Sequence, residues 1–396
     1  MNTVEPRGRL GLRPAIENLT PQLIREVSLV GQGVPDVIAL WFGEPDLPTP
    51  KIVRDAAAKA LADGQTFYNP NRGIAPLREE LAIYNSRLYG RKISAERVTV
   101  TPSGVQAIMQ TGQAIIDPGD DVLAVAPLWP NCREIVHIMS GGCRTMMLDF
   151  KDGRWSLDLD RLFSMVRPNT RLLMVNSPNN PTGWTMTGEE QKAMIEFCRQ
   201  RGIWIMSDEV YARLVFSGAA AAPSFLEHAD PEDRVIVVNS FSKPWAMTGW
   251  RVGWLVHPPA LAKTFEMLGE YNMSCATTFA QHGAVAALKF GEDFVAESVA
   301  RYRQGRDIVH QRLSANPRVR IGRPDGAFYA FFAVDGMADS LKAAKDLVLK
   351  AHVGLSPGAA FGPECEGYLR LCFAKSAETV TTAIDRIEDF IAKGMK

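Results

Sequence analysis

The stretch NSFSKPWAMTGWRVGW (residues 239–254) carries two cations, Lys243 and Arg251, and no acid. The gap in acids is wider still, running from Asp233 to Glu266. Around the cations stand Phe241, Trp245, Met247, Trp250, Val252 and Trp254, side chains that favour burial. Lysine and arginine are seldom buried without a partner. Whatever neutralises them comes from elsewhere in the chain or from a ligand.

The chain around this stretch has 396 residues, 46% hydrophobic and 22% charged, a globular composition with material for a large core and an appended module. Lysine plus arginine equals aspartate plus glutamate at 44 each, so the basic excess of a nucleic-acid or anionic-membrane surface is missing. Six scattered cysteines form no CxxC pair, which points to a reducing compartment, and six histidines fall in no metal-binding spacing. With no signal-peptide or transmembrane run in the sequence, a cytoplasmic location is expected and no metal is assigned.

From residue 96 onward, apolar runs alternate with helical spacing. RVTVT (97–101), DVLAVA (121–126), RLLMVN (171–176), GIWIMS (202–207), RVIVVN (234–239) and RVGWLV (251–256) read as strands buried on both faces. Between most of them lie helical stretches such as Gly188 to Arg201. This alternation predicts an α/β fold around a mostly parallel sheet. A long helix over 292–314 then leads into RIGRPDGAFYAFFAV (320–334), a helix near 339–351, YLRLCFA (368–374) and a last helix near 376–393. The expected division is an N-terminal segment (1–45) joining a small module, a large domain (46–290), a connecting helix (291–315) and a small α+β domain (316–396). The N-terminal segment should carry a short helix around 21–29.

Ligands on such sheets bind at the carboxyl ends of strands. Ser103 and Gly104 open a helix there, whose free N–H groups favour an anion. Trp129 offers a flat face, SPNNPTG (177–183) a tight turn presenting Asn180, and Asp208 a carboxylate at the end of an apolar run. Taken singly, Ser103 and Asp208 also read as helix caps and Trp129 as packing. Ser240, Ser242, Lys243 and Arg251 converge on the next strand end and suggest a phosphate. A phosphate, a flat ring, a carboxylate for a ring cation and a lysine able to form a Schiff base describe pyridoxal 5′-phosphate.

SFSKPWAMTGWRVG (240–253), SPNNPTG and SDEVY (207–211) together resemble the class I/II aminotransferases of the aspartate aminotransferase fold, pyridoxal-phosphate fold type I. The likeness runs from FGEPDLPTP (42–50) to YLRLCFA. It implies a seven-stranded, mostly parallel sheet sandwiched by helices, with a smaller α+β domain built from both chain ends. Lys243 is then the Schiff-base lysine and proton carrier, and Asp208 the partner of the ring nitrogen. Asn180 and Tyr211 bond the ring oxygen, and Trp129 stacks on the ring. Ser103, Gly104, Val105, Ser240 and Arg251 hold the phosphate. Tyr68 reaches the phosphate of a partner subunit in a homodimer with shared sites. Arg370 grips the substrate α-carboxylate, aided by the backbone at Gly43.

The resemblance fails at two positions. EYNMSCATTFAQHG (270–283) lacks the arginine that one aspartate-specific subgroup supplies, and Val105 stands where another has lysine. The expected donor is therefore an amino acid with a neutral, apolar or aromatic side chain, with Phe328 lining its pocket. The acceptor is a 2-oxo acid and the cycle ping-pong. The alternative on the same scaffold is a carbon–sulfur β-lyase. A cofactor-sensing regulator lacks the DNA-binding module it would need.

Overall fold

The computed structural model of the chain describes residues 11–394. Its centre is a seven-stranded sheet in the spatial order Val98–Thr101, Gly253–Val256, Val235–Ser240, Trp204–Asp208, Thr170–Asn176, Asp121–Ala126 and Gly142–Met147. Gly253–Val256 runs antiparallel to both neighbours, and the other contacts are parallel. This is the α/β, fold type I architecture expected.

Alternation along each strand explains the double burial. Leu123 and Val125 join one apolar cluster, while Val122 and Ala124 join another across the sheet. Leu173 and Val175 divide from Leu172 and Met174 in the same way. Helices Ala75–Tyr89, Gly188–Arg201 and Thr278–Phe290 contribute to the first cluster. Gly104–Ile115, Pro130–Ile138 and Ala262–Met273 contribute to the second. A period-two strand with both faces apolar needs such a sandwich, because either face left open would expose several apolar side chains.

The six anticipated strands are present, and Gly188–Arg201 forms the expected helix, opened by a Thr187–Glu190 capping box. The seventh strand that the resemblance implies is Gly142–Met147, a position no apolar run marks in the sequence. It lies on the sheet edge with only Met146 fully buried, so its residues show no apolar run.

Helix Glu292–Ser314 leads to a four-stranded sheet of Val319–Ile321, Tyr329–Val334, Tyr368–Cys372 and Ser356–Pro357. Helix Ala377–Ala392 covers it through Val380, Ile384 and Ile387. Helix Leu23–Val30 buries Ile24 and Val27 in the same cluster, and Ile38–Ala39 pairs with Val353–Gly354. Both ends of the described chain thus meet in one small core. The expected N-terminal segment begins with residues outside the described range.

Candidate active site

Six strand-end segments open on one cavity of about 470 Å³. The 239–254 stretch forms its floor by an enforced close approach. Gly253 pairs with Ser240 across the sheet. A Cβ on Gly253 would lie 2.6 Å from the Gly104 nitrogen and 2.6 Å from the Ser103 carbonyl carbon. Only glycine lets this strand pass the N-terminus of helix Gly104–Ile115. The approach brings together, around one corner, the Ser103–Gly104 turn and Ser240.

That corner is built for an anion. The N–H groups of Gly104 and Val105 begin the helix and both residues line the cavity. The Ser240 hydroxyl donates to the Ser242 hydroxyl at 2.9 Å, and Arg251 lines the same wall while donating to the Thr248 carbonyl at 2.6 Å. Ser103 itself does not line the cavity. Its hydroxyl accepts the Gln106 N–H at 3.3 Å, and its φ of +101° is rare for a residue with a side chain. The Thr101 hydroxyl holds that conformation by donating to the Ser103 carbonyl at 2.9 Å.

Lys243 and Asp208 have the opposite problem, too few partners. Lys243 Nζ donates to the Gly43 carbonyl at 2.6 Å and lies 5.9 Å from the ring centres of Tyr211 and Phe328. Loss of solvation lowers its pKa to about 8. The Asp208 carboxylate is 3% exposed, and among the described residues its one hydrogen bond is from the Val210 N–H at 3.3 Å. Burial raises its pKa to about 7 against the pull of that N–H and of Lys243. A buried carboxylate so thinly paired is costly unless a cationic N–H meets it.

Asn180 is placed by its neighbour Asn176, whose side-chain oxygen accepts the Asn180 N–H at 2.7 Å and whose amide donates to the Asp208 carbonyl at 2.9 Å. Asn180 Oδ1 in turn accepts from Arg370 Nη1 at 2.9 Å. Arg370 is 2% exposed; its Nη2 donates to Ser356 Oγ at 2.9 Å and to the Trp41 carbonyl. Its buried Nε has no partner among the described residues. A guanidinium fixed on both terminal nitrogens at the cavity wall is a preorganised cation for a carboxylate, which would share or displace the Asn180 contact.

One expectation needs correction. Phe328 is fully buried, packs edge-on to Tyr211 and Tyr302 and does not line the cavity. The next residue, Tyr329, does, with its hydroxyl 2.7 Å from that of Tyr211. Gly43, expected beside the substrate carboxylate, lines the cavity, with its carbonyl accepting from Lys243. Trp129 lines the cavity at the start of its helix. Tyr68 stands outside it, 89% exposed. Gln22, Arg25, Glu44 and Asn131 also line the cavity and were not anticipated. The helix around 21–29 was the one signal for Gln22 and Arg25, but nothing in it said which side faces the site.

An anion corner, a lysine of lowered pKa and a thinly paired carboxylate at the strand ends define a site for pyridoxal 5′-phosphate on a type I fold. The sequence matches the profile of the family described as aminotransferase class I and II over residues 35–387, and the chain belongs to that family. It is 35% identical to an aspartate aminotransferase of Thermotoga maritima over 90% of this chain and 92% of that one. It is 32% identical to an aromatic-amino-acid aminotransferase of Thermococcus litoralis over 96% and 98%. The crystal structure of a Thermotoga maritima aspartate aminotransferase superposes with a TM-score of 0.90, covering 96% of this chain and 100% of that one at 33% identity. The protein is a pyridoxal-phosphate-dependent aminotransferase, taking amino acids and keto acids as substrates. Among the described residues, no helix is long and apolar enough to cross a membrane.

Proposed function

We propose that the enzyme moves the amino group of an L-amino acid with a neutral, apolar or aromatic side chain to a 2-oxo acid, in a ping-pong cycle. The observation that carries this reading is the apolar lining beside the reactive groups. Ile24, Phe42, Val105 and Ile108 share the cavity with Lys243 and Arg370. An apolar side chain gains from such a lining, about 0.8 kcal/mol for each buried methylene.

In this reading Arg370 takes the substrate α-carboxylate beside its Asn180 contact and fixes the bond to be broken. Bound pyridoxal 5′-phosphate supplies an electron sink for the pair left when Cα loses its proton. Lys243 accepts that proton on Nζ and returns it on the other side of the reaction, a role suited to an amine whose pKa is about 8. Asp208 pairs with the ring nitrogen and so loses the cost of its burial. Asn180 and Tyr211 take the ring oxygen, and Trp129 lies on the ring face. Gly104, Val105, Ser240 and Arg251 hold the phosphate, and Ser103 shapes the turn that presents Gly104 and Val105.

Tyr68 completes the phosphate site of a second copy in a homodimer. Its exposure, with Phe67 beside it at 82%, supports this placement. The six cysteines are unpaired, which supports a reducing cytoplasm.

The test is a donor panel against 2-oxoglutarate and pyruvate, with both products separated. Aromatic and apolar donors should outrun aspartate. Pyruvate and ammonia released from a cysteine-type donor without acceptor would favour the β-lyase instead.

A further inference from the structure

The geometry points to Arg25 as the residue that reads the distal carboxylate of a dicarboxylic 2-oxo acid, a role that rests on the transaminase reading. Four cations line the cavity, namely Arg25, Lys243, Arg251 and Arg370, against two acids, Glu44 and Asp208. Three of the four have work in the proposed reaction. Arg25 has none, and among the described residues it makes no ion pair.

Neither nearby acid pairs with Arg25. Glu26, next on the same helix, pairs with Lys345 at 2.5 Å, and the Glu44 carboxylate accepts from the Thr248 hydroxyl. Arg25 instead lies over the Phe42 ring, 5.7 Å from its centre.

The position of Phe42 gives this contact its meaning. Trp41, Phe42 and Gly43 are consecutive, and each meets a different cavity cation. The Trp41 carbonyl accepts from Arg370, the Phe42 ring carries Arg25, and the Gly43 carbonyl accepts from Lys243. Three adjacent residues therefore hold the proposed α-carboxylate reader, the proton carrier and a third cation close together.

A monocarboxylic substrate with an apolar side chain has no use for that third charge and would meet Phe42. A dicarboxylic one presents a second carboxylate that a guanidinium can fork. Arg25 is on an exposed face of helix Leu23–Val30 whose other face, Ile24 and Val27, is anchored in the small core. The long side chain can therefore turn toward or away from the cavity without moving the helix. One cavity can then serve an apolar donor and an acidic acceptor in alternate halves of the cycle.

The test is steady-state kinetics of Arg25→Gln and Arg25→Lys with 2-oxoglutarate and phenylpyruvate as acceptors, the loaded enzyme being checked for fold by circular dichroism. Arg25→Gln should raise KM for 2-oxoglutarate roughly ten- to a hundredfold, with kcat little changed and KM for phenylpyruvate unaltered. Arg25→Lys should fall between. Equal changes for both acceptors, no change for either, or a wild type that uses phenylpyruvate but ignores 2-oxoglutarate would overturn the assignment.

Binding of glutarate and pentanoate, measured by calorimetry, separates this from the transaminase reading. Should the enzyme use no 2-oxo acid at all, the transaminase reading fails. A glutarate preference abolished by Arg25→Gln would still uphold Arg25, and an unchanged preference would refute it.

Discussion

The hydroxyls of Tyr211 and Tyr329 lie 2.7 Å apart, and the Arg370 guanidinium sits over the Tyr329 ring at 4.5 Å from its centre. One side chain thus positions both the tyrosine assigned to the cofactor and the arginine assigned to the substrate. Tyr329→Phe would leave the Tyr211 hydroxyl buried without its partner. The expected cost is about 1–3 kcal/mol of stability, read by urea denaturation of the cofactor-free protein. In the loaded enzyme, the pH at which the cofactor's visible band changes should also move. An unmoved band would show that Tyr329 only packs.

Arg370→Lys keeps the charge and removes the fork. It should lower kcat/KM roughly a hundredfold or more for every donor alike, because the α-carboxylate is common to all. The visible band of the bound cofactor should be retained. A loss confined to one class of donor would move the α-carboxylate site elsewhere.

Gly43 admits no side chain. A Cβ there would stand 1.7 Å from the Tyr329 hydroxyl oxygen and 2.8 Å from Cζ. Gly43→Ala should therefore displace the Trp41–Gly43 segment, costing about 1–3 kcal/mol and freeing Lys243 from its carbonyl partner. Full activity in that variant, with unchanged thermal unfolding, would contradict the placement of the segment.

Asp208 makes a pH prediction for the cofactor-free protein. Its folded pKa of about 7 stands above the ordinary 3.8, so the folded state holds this proton more tightly than the unfolded state does. From about pH 4 to pH 7 the folded chain keeps a proton the unfolded chain has lost, and stability from this group falls as pH rises. Asp208→Asn should flatten that decline in thermal unfolding temperature. Buried Glu209, also raised to about 7, acts in the same direction and is common to both proteins, so the difference isolates Asp208. No difference between the two pH profiles would mean the carboxylate is already paired.

Much of this architecture was legible because the central strands are buried on both faces. An unbroken apolar run such as DVLAVA reports that burial directly, and Asp121–Ala126 is the resulting strand. Gly142–Met147 escaped because an edge strand has no such run. The double burial that exposes a strand also hides its parity. All of Tyr329–Val334 is buried, so periodicity does not tell Phe328 from Tyr329 as the cavity residue. The strand-end residues Asp208, Asn180 and Lys243 were legible from chemistry at fixed places after each run. Arg25 and Gln22 reach the same cavity from a helix more than two hundred residues before Lys243, and only folding reveals that.

That Lys243 and its cofactor carry an amino group from donor to acceptor is tested most directly by absorbance. The purified loaded enzyme is scanned before and after each of a panel of amino acids, with no 2-oxo acid present. The visible band should bleach with aromatic or apolar donors, release the matching 2-oxo acid once per site, and return when 2-oxoglutarate is added; Lys243→Ala should do none of this. Pyruvate and ammonia accumulating over many turnovers, with the band persisting, would contradict transamination. A protein with no band even after added pyridoxal phosphate would contradict the assignment of Lys243 itself.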